Sequence, residues 1–404
     1  MLLSDTPRGQ NWLTNFDLSE RESAAILLDS IELVGQDSLQ IGLSKLIETL
    51  ADELPNPIAL VPVRELAPGQ RYFQTGRDAP ARLLLPQSFP GSEAIVAAML
   101  NGVRRAAGTR QPFVGAPSLK NMRGARCRTI LLVDDYSGSG DRIKGFYRSF
   151  RSHPTLRSWA SYHRIEYHVA CYAATPHALR VLQKTFGKDK VHLHTVCPTI
   201  STRSWDDDRL KSVKNICEKY ASSAIQCPPF GYGNTGSLLA FSHSAPNNLP
   251  VVLWQMFRAG GAAWSPFFLD KGIPDDIRTL FSMTDVDRQR LSAVRQLRQP
   301  RLSLIDWSQL PSRDSQNAML VLAAIARRPR DRHYVAQVTG LPLPAVRRAA
   351  DLCTTLRLID RSFHLTDQGR AELQHAKKVM LLGDDFLLNG SDEPYYPRQL
   401  RAGR

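Results

Sequence analysis

The chain has 404 residues, enough for two or three domains, and 43% of them are hydrophobic, enough for a full core. No apolar run reaches the length of a membrane span, and the opening MLLSDTPRGQNW carries no signal-peptide apolar region, so the expectation is a soluble cytoplasmic protein without a membrane partner. The formal charge of +14 argues for a polyanionic partner, most simply nucleic acid, with the location of the charge deciding.

In chain order, residues 15–53 are expected to be helical. "SERESAAILLDSIELV" starts with Asp17 or Ser19 as a cap, and "SLQIGLSKLIETLADEL" follows with apolar residues at helical spacing until Pro55 and Pro57 stop it. "IALVPVREL" reads as a short buried strand from Ile58 to Val63, "ARLLLPQSF" as an extended piece and "GSEAIVAAMLNGVRRAA" as a helix. The strands "RTILLVDD", "RIEYHVACYAAT" and "DKVHLHTVC" then alternate with the helices "PHALRVLQKTFG" and "DDDRLKSVKNICEKYASS". Such alternation predicts an α/β domain with a largely parallel sheet, whose ligands bind beyond the carboxyl ends of the strands.

From about residue 228 to 270 the texture shifts to Gly, Pro, Asn and aromatics, which predicts loops and short elements, with Trp254 and Trp264 as core anchors. Residues 315–378 read as helix, short helix ending at Gly340, turn, helix, short strand pair and helix, the order of a winged helix-turn-helix. The six cysteines show no CxxC spacing, so neither structural zinc nor disulfides are expected. His192 and His194 read as two ordinary strand histidines rather than as metal ligands.

The chemistry concentrates in "TILLVDDYSGSGDR". A buried strand carries Asp134 and Asp135 to its end, a Gly138-Ser139-Gly140 turn follows, and a helix begins. Glycines let the backbone approach a ligand, and a helix N-terminus offers free N–H groups to an anion. Carboxylates accept hydrogen bonds from sugar hydroxyls or hold Mg²⁺ through water. A phosphorylated sugar has a group for each. Response-regulator receivers also carry paired acids at a strand end, but near the start of the chain and without a Gly-Ser-Gly turn directly after them.

"ILLVDDYSGSG" resembles the phosphoribosyl-binding motif of type I phosphoribosyltransferases. The resemblance implies that Asp134 and Asp135 are the catalytic, diol-binding acids. It also implies that Gly138, Ser139, Gly140 and Asp141 form the 5-phosphate loop, and that Mg²⁺ accompanies the substrate. Gly138 and Asp141 stand where the family usually has threonines; an inward Asp141 would repel phosphate, whereas an outward one could cap the next helix.

"VPVRE", "GYGNTGS", "APNNLPVVLW" and "YYPRQLR" narrow the resemblance to phosphoribosyltransferase-like proteins of bacterial conflict systems, some of them retron effectors fused to a winged helix. This implies that Arg64 meets a leaving pyrophosphate, and that Tyr232, Asn234, Asn247 and Asn248 line an acceptor pocket. For Arg64 a surface salt bridge is the competing reading, and Pro-Asn-Asn also builds turns without any ligand.

The expected fold is thus a parallel-sheet type I phosphoribosyltransferase-like α/β domain (56–312) with a helical N-terminal cap (1–55), a C-terminal winged helix (313–380) and a basic tail (381–404). Arg328 and Arg330 before the second helix, Arg347 and Arg348 on the recognition helix and Arg361 at the wing suit phosphate contacts. The competing reading is a protein-docking module with a solvated basic rim. By resemblance, the protein is an antiphage effector in a hetero-complex, held by nucleic acid such as reverse-transcribed DNA with its reverse transcriptase. It would act at the anomeric carbon of phosphoribosyl pyrophosphate or a nucleotide. The alternatives are a non-catalytic nucleotide sensor that binds DNA and a housekeeping salvage transferase.

Overall fold

A computed structural model describes residues 2–65, 73, 92–108, 112–115, 118–258, 261–281, 310, 312–326 and 331–378. The expected extended piece at 81–89, Arg328, Arg330 and the tail at 381–404 lie outside the described residues. The chain divides into two compact units, Met1–Thr284 and Asp285–Arg404. No described helix is long and apolar enough to cross a membrane.

The first unit is built on four parallel strands, β2 (Ile58–Pro62), β3 (Thr129–Ser137), β4 (Glu166–Ala174) and β5 (Val191–Val196), hydrogen-bonded in that order; β1 (Glu32–Val34) belongs to a second, smaller sheet. β3 lies between β2 and β4 and is buried at all nine positions, as its run of branched apolar residues requires. Helices cover both faces. α3 (Gln36–Glu53) and α4 (Ser92–Ala106) pack on one side, where Leu39, Leu43 and Ile47 share a core with Leu60, Leu131 and Val133. On the strands' remaining surface α6 (Asp141–Arg151) packs against β3 and α8 (Pro176–Phe186) against β4 and β5; α5 (Leu119–Gly124) and α7 (Pro154–Ser161) precede β3 and β4.

A second core joins the chain's beginning to its middle. α1 (Pro7–Leu13), α2 (Arg21–Asp29), α9 (Asp207–Tyr220) and the loops between residues 238 and 281 bury one continuous apolar cluster. Trp12 and Trp264 both donate their indole N–H to the Val252 carbonyl, at 2.9 and 3.0 Å, and Phe16 meets Trp12, Tyr220 and Trp264 edge-on. Trp264 is buried as expected; Trp254 is half-buried at the edge of the same cluster.

This packing shortens the first helix expected over "SERESAAILLDSIELV". α2 ends at Asp29, and Glu32–Val34 pairs in parallel with β6 (Leu239–Phe241). A strand partner far along the chain overrides the local helical pattern. Neither Asp17 nor Ser19 caps α2: Asp17 precedes a short 3₁₀ turn without a capping bond, and its carboxylate takes Lys219 at 2.9 Å instead. His192 and His194 are both partnered by aromatic rings. His192 lies 3.1 Å from His168, and His194 stacks on Tyr172. All six cysteines are free.

The second unit is a helical array in winged-helix order. Ser312 caps the helix Arg313–Ile325 and Asp331 caps Arg332–Thr339, each through its side-chain oxygen. Gly340, left-handed at φ 67°, ends the second of these and turns the chain into the recognition helix Leu343–Thr355. The expected strand pair is reduced to one antiparallel bridge, Ile359 to Leu365, before the helix Asp367–Lys378.

Trp12→Ala, which empties a fully buried indole site and strips one donor from Val252, should lower stability by about 3–5 kcal/mol. Urea unfolding followed by circular dichroism checks this value.

Candidate functional site

The carboxyl ends of β3 and β4, the start of α6 and the loops of the second core converge on Asp134 and Asp135. β3 does not stop at the acids as the sequence suggests. It continues to Ser137, paired with β4 as far as Ala174, so both carboxylates stand inside regular, buried backbone at 2% and 4% exposure.

Arg142, in the first turn of α6, neutralises them. Its Nη2 reaches Asp134 Oδ1 at 2.6 Å and Asp135 Oδ1 at 3.1 Å, and its Nε reaches Asp134 Oδ2 at 3.2 Å. His243 holds the remaining oxygen, with Nε2 3.1 Å from Asp135 Oδ2. A carboxylate only accepts, so this nitrogen carries the proton. The His243 ring stacks on Phe241, and its Nδ1 is buried without a hydrogen-bond partner among the described residues.

These contacts set the charges. Burial by itself raises Asp135, but the His243 hydrogen bond and the Arg142 charge outweigh it and hold the carboxyl well below its ordinary value. Asp134 is pushed up by burial and by Asp135, against the pull of Arg142, and is the first of the pair to take a proton on acidification. The neighbouring Asp134 charge in turn raises the Arg142 guanidinium.

The loop that follows is folded tightly. Gly138 sits under Asn248: a Cβ there would stand 2.1 Å from the Asn248 amide. Gly140 adopts φ 86°, a left-handed conformation that glycine reaches freely, and is the N-cap residue of α6. Thr175, the N-cap of α8, donates its hydroxyl to the Gly138 carbonyl at 2.5 Å, and its own N–H bonds to the Ser137 carbonyl. Ser139 Oγ accepts from the Asp141 N–H. Among the described residues no acceptor faces the N–H groups of Gly138, Ser139 and Gly140. A run of free N–H groups before a helix N-terminus is an anion-binding concavity.

The other residues picked from the sequence divide. Asp141 occupies the first turn of α6, where a negative charge suits the helix dipole, and is exposed. It makes no side-chain capping bond, contrary to the capping role considered from sequence. Arg64 follows β2 and is buried at 7% exposure, so it is not a surface ion-pair residue. Asn248 is buried, and its amide donates to the Tyr232 carbonyl and Thr235 Oγ1, fastening "GYGNTGS" to "APNN" over the loop. Tyr232, Asn234 and Asn247 are exposed on the same loops. Arg347, Arg348 and Arg361 are exposed in the second unit, Arg348 lying 3.7 Å from Asp314.

Sequence reasoning missed Arg142, His243 and Thr175. One signal was present: Arg142 places positive charge in the first turn of a helix, against the macrodipole, which demands a compensating anion nearby. His243 left no local signal.

A parallel sheet ending in a buried acid pair and an open glycine loop, followed by a separate unit in winged-helix order, defines a phosphoribosyltransferase-like protein with an associated winged helix. The family model described as PRTase-CE matches residues 10–269, and the chain belongs to that family. A second model, described as wHTH-PRTase associated, matches residues 319–402. No curated protein and no solved structure matches the chain significantly.

Arg142→Gln leaves two buried acids without their cation and should cost about 3–5 kcal/mol at neutral pH. In the unaltered protein the lowered Asp135 adds stability above its ordinary value of 3.8, which is lost as the pH falls toward its folded value. The penalty of Arg142→Gln should therefore shrink on acidification, when the orphaned acids are neutralised. Denaturant titrations at pH 7 and pH 4 compare the two. Gly138→Ala should destabilise by about 1–3 kcal/mol, and Asn248→Ala in the same chain should recover part of the loss, a coupling that a double-mutant thermal-melt cycle reads directly.

Proposed function

We propose that the site binds a ribose 5-phosphate compound and promotes cleavage or transfer at its anomeric carbon, and that the protein is an antiphage effector held by nucleic acid through its winged helix. One observation carries the site reading: an open N–H loop stands directly beside a buried acid pair, Asp135 held ionised, at a strand's carboxyl end. The loop takes the phosphate. The acids take the ribose hydroxyls by replacing Arg142, which is about a third exposed and is the solvent-reaching member of the cluster. The Arg142 charge then passes to the phosphate. Buried Arg64, after the neighbouring strand, suits a leaving pyrophosphate.

Reaction at the anomeric carbon passes through an oxocarbenium-like state, for which positioning and fixed charge supply the rate enhancement without a protein nucleophile. All four oxygens of the acid pair accept from Arg142 or His243, so a Mg²⁺ bound directly to the pair would have to displace these donors. The Mg²⁺ expected by resemblance belongs in this reading to a diphosphate ligand and not to the chain. The family resemblance supports the antiphage role, and the winged helix supports a nucleic-acid partner; that this partner is reverse-transcribed DNA with its reverse transcriptase rests on the resemblance to retron effectors alone.

A second reading, a non-catalytic nucleotide sensor, is favoured by the same saturation of the acids: a site that keeps its carboxylates paired with Arg142 senses phosphate without turning over. Calorimetric titration of phosphoribosyl pyrophosphate with Mg²⁺ into the protein and into Asp135→Asn should show binding that the substitution removes while the thermal melt persists. Equal binding by the folded variant would rule out the diol role. Appearance of free pyrophosphate or a transferred base separates enzyme from sensor.

A further inference from the structure

The opposite end of the sheet carries a feature that the phosphosugar reading does not use. Residues 118–165 hold ten Lys or Arg and three Asp, two of the three being the buried pair. Topology gathers most of this charge at the amino ends of β3 and β4. The register Thr129 to Glu166 sets Arg128 and Arg164, just before each strand, at neighbouring positions, and the Glu166 N–H bonds to the Arg128 carbonyl. α6 begins at the phosphate loop and runs back along the sheet, delivering Arg151 to this far end at its last turn. α5 brings Arg123 and α7 brings Arg157; both are exposed. Glu166, the acid at the start of β4, is already engaged by Lys190 at 3.0 Å and His168 at 3.5 Å.

Aromatic rings are interleaved with these cations. The Arg123 guanidinium lies over Trp159 at 5.7 Å, tying α5 to α7, and Arg164 lies over Tyr162 at 5.8 Å. Tyr162 is 72% exposed, which leaves a large ring in solvent that contributes little to the core. A solvated basic rim has no need of such rings. Cations that track a backbone, with flat rings held between them, are what unpaired bases and their phosphates require. Duplex DNA hides its base faces and would leave Tyr162 idle.

We propose that this face, formed by α5, α7 and the residues preceding β3 and β4, binds single-stranded nucleic acid, separately from the winged helix. Phosphates lie along Arg123, Arg157 and Arg164, and a base stacks on Tyr162. The face lies at the other end of α6 from the Gly138–Gly140 loop, about 16 Å away along an eleven-residue helix, so a bound strand leaves the phosphosugar site open.

The test is fluorescence anisotropy of the full chain with labelled oligothymidylate, oligouridylate and duplex DNA over a salt series. Arg123→Glu/Arg157→Glu/Arg164→Glu should weaken single-strand binding by at least about tenfold and flatten the log–log salt slope by about 2. Tyr162→Ala, at an exposed position that leaves folding intact, should weaken it by about tenfold at constant salt slope. Arg347→Glu/Arg348→Glu should spare single strands and lose duplex. Oligothymidylate and oligouridylate compared show whether the strand is DNA or RNA. Unchanged single-strand affinity in the triple variant, with its circular dichroism and melting temperature preserved, would overturn the proposal. So would a Tyr162→Ala chain that binds as tightly as the original, since the face would then be a general polyanion surface.

Discussion

The buried link from Arg142 to Asp134 and Asp135 is the constraint on which the site's architecture rests. Two carboxylates at 2% and 4% exposure are tolerated only with a cation and donors on every oxygen. Arg142 supplies the cation from the first turn of α6, so that helix must start immediately beyond the strand. The chain between them must therefore turn within Gly138–Gly140, which a left-handed Gly140 permits. Thr175 fixes the turn from below by bonding the Gly138 carbonyl while capping α8. The open N–H groups of the loop follow from this geometry: the backbone bends too sharply to pair them internally.

The second core acts on the same point from above. Trp12, Trp264 and Phe16 lock the N-terminal helices to the irregular segment after residue 238, with two indoles converging on the Val252 carbonyl. The β1–β6 pairing holds Phe241 in place, and His243, two residues on, reaches Asp135. Asn248 and the "GYGNTGS" loop close over Gly138. The region rich in Gly, Pro and aromatics is therefore the lid that satisfies the acid pair, and its rigidity is supplied by residues more than two hundred positions earlier.

Charge is arranged asymmetrically about this frame. Of the positive residues at the carboxyl end of the sheet, Arg64 after β2 is buried and Arg142, about a third exposed, is held by the acids. At the amino end they are exposed and interleaved with Trp159 and Tyr162. Among the described residues the positive charge thus includes an internal ion pair at the acids and an exposed basic face, alongside the exposed Arg347, Arg348 and Arg361 of the second unit.

Much of this was legible in the residues. "TILLVDD" is too apolar for anything but a central parallel strand, and "YSGSGDR" too small and polar for anything but a turn into a helix, so strand, acids and loop could be placed from local pattern alone. Gly340 likewise announces the end of the second helix of the second unit. Glu32–Val34 was not legible, because its strand pairing is with Leu239–Phe241 and local propensity there favours helix. His243 was hidden for the same reason: nothing near it in sequence is acidic, and Asp135 lies 108 residues away. The sequence by itself determined the alternation of elements and the chemistry available at the end of β3, since these depend on neighbours within a few residues. Only the tertiary structure decided that Arg142 and His243 would occupy the acids and that Asn248 would cover the loop, because burying charge is a decision of the whole core.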